Sequence, residues 1–164
     1  MMTKTLTFVE AIKACFSKYA KFNGRARRSE FWWFYLLLCL VNFVFQGIFV
    51  AIRMAHTAAA EAFKQNITFD NLGEMMDQAK VLDAQYQKYY IIVGIIWGVW
   101  ALFTLLPSLS ATVRRLHDVG KSGNILWLGL LCGIGFLIAL IMCIPDGKPG
   151  ANQYGESPKY IDEQ

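Results

Sequence analysis

Apolar positions along this chain follow two patterns. From residue 6 to residue 22 they recur every three or four places: Phe8, Ile12, Cys15, Phe16, Tyr19 and Phe22, with Lys13, Ser17, Lys18 and Lys21 largely opposite. That period puts them on one face of a helix. Thr7 and Glu10 stand at capping-box spacing, and Asn23-Gly24 supplies a C-terminal stop. The pattern predicts an amphipathic interfacial helix over 6–22, apolar face toward lipid.

The second pattern is length without charge. Residues 31–52, 89–113 and 122–145 contain no Asp, Glu, Lys or Arg. A helix needs roughly 20 mostly apolar residues to cross a bilayer, and there only a helix satisfies its own backbone within one segment. Three transmembrane helices are expected, over 31–52, 89–109 and 125–144. Soluble core helices rarely stay charge-free this long. The first thirty residues are polar and basic, so the first apolar run reads as an uncleaved anchor rather than a signal peptide.

Between the first two runs the pattern changes again. Leu72, Met75, Ala79, Leu82, Tyr86 and Tyr89 form a heptad stripe. "AHTAAAEAFK" is helix-prone and "QNITFDNLG" supplies a turn. Residues 53–88 therefore read as an outer helical hairpin, its stripe facing the extension of the first span. Residues 145–164 are dense in Pro and Gly and read as a turn-rich tail. The expected fold is all-α, a single polytopic membrane domain over 1–164.

Composition agrees. Of 164 residues, 55% are hydrophobic and 17% charged, against about a quarter charged in soluble domains. Charge sets the expected orientation. Residues 1–30 and 114–121 hold ten basic residues against Glu10, Glu30 and Asp118, while 53–88 and the tail hold six against nine acids. The positive-inside rule places the first group in the cytoplasm and the second outside. Trp32, Trp33 and Trp127 fall at the inner interface, and Tyr86, Tyr89 and Tyr90 at the outer one. Trp97 and Trp100 fall near mid-span and read as packing residues. Asn42 and Gln46 share a helix face and read as hydrogen-bonding glue, and the pairs Gly94/Gly98 and Gly129/Gly133 as sites of close helix approach.

Candidate chemistry concentrates in two basic stretches. "NGRARRSEFWW" carries Arg25, Arg27 and Arg28, and "ATVRRLHDVGKSGNILW" gathers Arg114, Arg115, His117, Asp118 and Lys121 beside Gly120 and Gly123. Arg25, Arg27, Arg28, Arg114, Arg115 and Lys121 are the candidate contacts for anionic lipid phosphates. The plainer reading is a basic loop that sets topology. Catalytic residues are not expected. "GKS" is no phosphate-binding loop, because Arg115 stands where its first glycine belongs. Neither metal nor cofactor is expected: His56 and His117 fall on opposite sides, and Cys15, Cys39, Cys132 and Cys143 form no CxxC. Cys15 is expected to be reachable from the cytoplasm. Beyond one short cluster no basic face suits nucleic acid. The absence of charge inside the spans argues against ion-coupled transport.

"GRARRSEFWWF", "RRLHDVGKSG" and "PGANQYGESP", in that order, resemble the small bacterial inner-membrane proteins of the domain-of-unknown-function 805 family. The resemblance falls on Gly24, Arg25, Arg28, Glu30, Phe31 and Trp32, then Arg114, Arg115, His117, Asp118, Gly120, Ser122 and Gly123, then Gly150, Asn152, Tyr154, Gly155 and Pro158. Asn124 and Ile125 stand where such proteins often carry tryptophan, and the 53–88 connection is longer than usual. The resemblance implies an integral membrane protein and no known activity; the apolar runs imply that it is multi-pass, with its N-terminus cytoplasmic. The function expected is a non-enzymatic scaffold or adaptor, with the lipid bilayer, anionic headgroups and a second copy or another membrane protein as partners. The alternatives are a small transporter or channel subunit, or a membrane enzyme acting on a phosphorylated lipid. If the first two spans pack together, Glu30 pairs with Arg114 or Arg115, and Asp118 with an arginine of the first motif or a local helix end.

Overall fold

The computed structural model describes residues 6–65, 69–126 and 134–159. Among them are α1 (Phe8–Ser17), α2 (Arg28–Lys64), α3 (Leu72–Asp118) and α4 (Ile134–Met142), a 3-10 turn at Phe69–Asn71, and no strand. The chain forms two compact units, one of Met1–Leu38 and Phe103–Gln164, the other of Cys39–Leu102. The two long helices contribute to both.

The α1 capping box forms as expected. Thr7 Oγ1 accepts from Glu10 N at 3.4 Å and Glu10 Oε2 accepts from Thr7 N at 2.9 Å. The helix stops at Ser17 rather than residue 22, where Lys21 N turns back to Lys18 O. Asn23-Gly24 is instead a later bend, with Gly24 at φ 94°. The apolar face is not turned to lipid. Cys15 sits in a core with Phe31, Phe34, Ala111, Leu116 and Cys143. Phe8 meets Trp33 edge-on, and Phe16 meets Phe34 edge-on and stacks on Phe103 at 5.5 Å. Aromatic surfaces on α2 and α3 thus take the place of the expected membrane contact.

The spans expected over 31–52 and 89–109 are stretches of longer helices. At 1.5 Å per residue α2 is roughly 55 Å long and α3 about 70 Å, well beyond a hydrocarbon core of about 30 Å. None of the most apolar stretch of α2 is buried, and only 11% of that of α3. Leu40, Phe43, Val44, Ile92, Ile95, Val99 and Leu102 are all exposed. A core helix of a soluble protein hides such residues, whereas these present a continuous apolar surface that only lipid or another apolar partner can cover.

In the second unit, α2 and α3 meet along a narrow half-buried stripe. On α2 it includes Val41, Phe45, Phe49, Ile52 and His56, and on α3 Met75, Ala79, Leu82, Tyr86, Tyr90 and Val93. Phe49 stacks on Tyr90, and His56 stacks on Tyr86 while facing Asp83 at 2.9 Å. The extension of the first span is therefore the partner of the 53–88 stripe, as expected. The register differs after Tyr86, because Tyr90 faces α2 and Tyr89 is 48% exposed. Steps of 4, 3, 4, 4 and 3 from Met75 to Val93 follow a straight helix rather than a supercoiled heptad. Trp97 Nε1 donates to Asn42 Oδ1 at 2.9 Å, so both residues act in packing. Among the described residues nothing lies within 4 Å of a Cβ built on Gly94 or Gly98, so neither serves a close approach there.

The third expected span is described only at its two ends. Residues 127–133, with Trp127, Cys132, Gly129 and Gly133, lie outside the described residues. The segment nevertheless begins and ends at one place. A Cβ on Gly123 would lie 2.8 Å from Val113, Ile125 and Leu126 pack on the same core as Cys143, and Arg115 donates to Cys143 O at 3.1 Å. The tail therefore lies beside Arg115.

Pro107 lies inside α3 and lacks the N–H that would bond Phe103 O. Tyr19 replaces it: its hydroxyl donates to Phe103 O at 2.6 Å. Tyr19→Phe should therefore cost about 1–3 kcal/mol in thermal unfolding of the reconstituted protein. Adding Pro107→Ala, which restores the N–H, should recover most of the loss. A Tyr19→Phe protein that melts with the parent would refute this role.

Candidate functional site

The site is built where α3 ends. Gly120, at φ 78°, terminates the helix. Its N–H bonds His117 O, and Lys121 N bonds Leu116 O at 2.8 Å, the paired bonds of a Schellman ending. Lys148 Nζ would lie 2.9 Å from a Cβ at Gly120, a cation at the negative end of the helix dipole. The last turn buries Arg114, Arg115, His117 and Asp118 together. The strand-like stretch before α2 lies against it: Ala26 N donates to Arg114 O at 3.0 Å, and His117 Nδ1 to Gly24 O at 3.2 Å.

Two carboxylates organise the charge. Arg114 Nη1 donates to Glu30 Oε1 at 2.5 Å, and Lys18 Nζ reaches Glu30 Oε2 at 3.3 Å. Arg25 Nε donates to Asp118 Oδ1 at 2.9 Å, and Arg115 Nη1 to Asp118 Oδ2. Both pairings expected between the motifs are present. The Arg114–Glu30 and Arg25–Asp118 pairs are almost wholly buried. Breaking a pair of that kind strands a charge.

The tail completes the site with backbone oxygens. Arg25 Nη1 donates to Gly150 O at 2.7 Å and to Gly155 O at 3.3 Å, and Arg25 Nη2 to Lys148 O at 2.5 Å. Arg27 Nε donates to Pro158 O, and Arg115 Nη2 to Pro145 O. Asn152 and Gly155 bond each other in a tight turn, with Gly155 at φ 119°. Asn152 Nδ2 donates to His117 O at 2.9 Å, and Tyr154 stacks on His117 at 3.7 Å with the planes 2° apart. At Gly147 a Cβ would collide with the Asp118 carboxylate.

The structure therefore unites Gly24, Arg25, Glu30, Arg114, Arg115, His117, Asp118, Gly120, Asn152, Tyr154 and Gly155. Gly123 packs nearby on Val113. Arg27 is half-buried, Arg28 and Lys121 are exposed, and Trp32 is 38% exposed beside Phe31. The sequence reading missed Lys18, Cys15 and Gly147. Lys18 had a signal, since it follows α1 and stands twelve residues before Glu30; the close fit at Gly147 had none.

Chemically, each carboxylate is spanned by two cations, which makes it a cross-link between chain segments. Among the described residues no group of His, Cys, Asp and Glu could hold a metal. Four cations, Lys18, Arg25, Arg114 and Arg115, face two acids. Arg114 Nε and Nη2 have no hydrogen-bond partner among the described residues. Cys15 Sγ donates to Glu30 O at 3.7 Å. Burial pushes this thiol up from 9.0 to about 12; Glu30 adds to the rise, and Arg114 and Lys18 oppose it. The expected accessible Cys15 is thus a buried, neutral thiol.

The family described as "Protein of unknown function (DUF805)" matches residues 19–156. Inner membrane protein YhaI of Escherichia coli (strain K12) is 29% identical over 142 residues, covering 87% of this chain and 89% of the relative. Inner membrane protein YhaH of the same strain is 28% identical over 141 residues, covering 86% and 89%. No solved structure matches at comparable stringency.

Glu30→Gln should cost about 3–5 kcal/mol, because Arg114 is left buried and uncompensated. Adding Arg114→Met should cost less than the two single changes summed, as measured by thermal unfolding. Unchanged melting of Glu30→Gln would refute the cross-link. In a variant keeping Cys15 as its sole cysteine, maleimide should not modify the folded protein at neutral pH. The folded pKa of Cys15 is raised, so its contribution to stability is full below pH 9.0 and is lost as pH rises toward about 12. Melting temperature against pH should therefore fall less steeply over that range in Cys15→Ala.

Proposed function

The chain belongs to the DUF805 family, and from that premise we propose that it is a non-enzymatic scaffold or adaptor of the bacterial inner membrane, gripping anionic lipid at its cytoplasmic face. Its relatives are named inner membrane proteins, and its exposed apolar helices fit a membrane. One observation carries the scaffold reading. Glu30 and Asp118 are each held by two of the chain's own cations, and His117 lies between the Gly24 carbonyl and the Tyr154 ring. Such a site locks three chain segments together and keeps no acid or base poised for a substrate.

In this reading α2 and α3 cross the membrane once each, leaving the N-terminus, residues 114–126 and the tail in the cytoplasm. The bookkeeping of charge supports it. With the tail moved inside, that side holds twelve basic residues against seven acids, and residues 53–88 hold four against five. Lipid phosphates meet the exposed Arg28 and Lys121, while the buried Arg25, Arg114 and Arg115 hold the fold.

Two measurements test this. A cysteine at Ala79 should label in intact cells, and a reporter fused after Gln164 should be active in the cytoplasm; the opposite result at either position would overturn the topology. In nanodiscs of mixed lipid, phosphatidylglycerol should be enriched around the protein. Each of Arg28→Gln and Lys121→Gln should weaken that preference about fivefold, the equivalent of about 1 kcal/mol per surface cation. Equal enrichment in both variants would remove the lipid role from these residues.

A further inference from the structure

We propose that the hollow formed by residues 17–23 is a discrete binding site for one phospholipid phosphate, an inference that rests on the cytoplasmic-face lipid reading and assigns it a second, tighter site. The hollow has a volume of about 600 Å³ and is lined by one continuous loop that includes Lys18, Tyr19, Lys21 and Phe22. It is shallow and largely open.

Its position is set by α3. Tyr19 donates its hydroxyl to Phe103 O, and Ser110 Oγ lies 3.2 Å from both Lys18 O and Tyr19 O. The loop is therefore fastened to residues 103–110, just before the uncharged run ends at Arg114. That is the depth at which hydrocarbon gives way to headgroups. Phe22 lines the hollow and is exposed, and the exposed Phe103 lies beside Tyr19. An acyl chain has apolar surface to follow, and a phosphate has lysines.

The charge is unbalanced in the same place. The single negative charge of Glu30 is divided between Arg114 and Lys18. Lys21 adds a further exposed cation at the hollow. A phosphodiester carries the one negative charge that balances this excess at short range, where the low dielectric strengthens the attraction. A free phosphate offers the same anion, but it lacks the chain that would lie along Phe22 and Phe103.

The test uses the full chain in nanodiscs of phosphatidylglycerol and phosphatidylcholine, extracted into mild detergent, with retained lipid counted by native mass spectrometry. One phosphatidylglycerol per protein should survive extraction. Lys21→Gln, a change at an exposed side chain, should lower its retention about fivefold, and Lys18→Gln should lower it as well. Arg28→Gln and Lys121→Gln should leave it in place. Retention equal to the parent in Lys21→Gln, or no retained lipid in the parent, overturns this site while the surface enrichment can still stand. Loss of surface enrichment with retention intact does the reverse. Retention that persists in millimolar inorganic phosphate supports the lipid as ligand; displacement by inorganic phosphate overturns it in favour of a free anion.

Discussion

Asp118 is the residue on which the arrangement of this protein turns. Its two carboxylate oxygens receive Arg25 from the stretch before α2 and Arg115 from its own helix, and its carbonyl receives Lys148 N from the tail. A buried carboxylate is tolerable only with partners of this kind. Once it is satisfied, three chain segments distant in sequence are fixed at one point. Gly147 passes close enough to the carboxylate that no side chain fits there. The tail follows because the two arginines have more N–H groups than Asp118 has oxygens. Backbone carbonyls from Cys143 to Gly155 accept the remainder.

A second constraint comes from the backbone. A carbonyl inside a helix needs a hydrogen-bond partner. Pro107 would leave Phe103 O unserved, and Tyr19 serves it. The same contact draws residues 17–23 onto α3 and takes the apolar face of α1 with it, against Phe31, Phe34 and Phe103. A segment patterned like a membrane-surface helix is thereby turned inward. Amphipathic periodicity declares that a face will be covered; whether lipid or protein covers it depends on what else lies within reach.

The candidate site was half legible. Opposite charges in two motifs, joined by two neighbouring apolar helices, suffice to bring Glu30 to Arg114 and Arg25 to Asp118. The contribution of the tail was hidden. Its bonds to Arg25, Arg27 and Arg115 use main-chain oxygens that every residue carries, so side-chain identities do not advertise them.

By itself the sequence determined what depends on composition and on neighbours along one helix. These include the all-helical class, the apolar surfaces of α2 and α3, the Thr7–Glu10 cap, and the stripe that joins α3 to the end of α2. Such features follow from local backbone geometry and from the transfer of side chains out of water. Tertiary structure alone decided that Arg115 reaches the Cys143 carbonyl, that Tyr19 repairs the gap at Pro107, and that Arg25, Arg114 and Arg115 are buried while Arg28 stays exposed. Each of these turns on contacts between residues far apart in the chain. There the outcome depends on which carbonyl, carboxylate or ring arrives within a few ångströms, and no local pattern encodes that arrival.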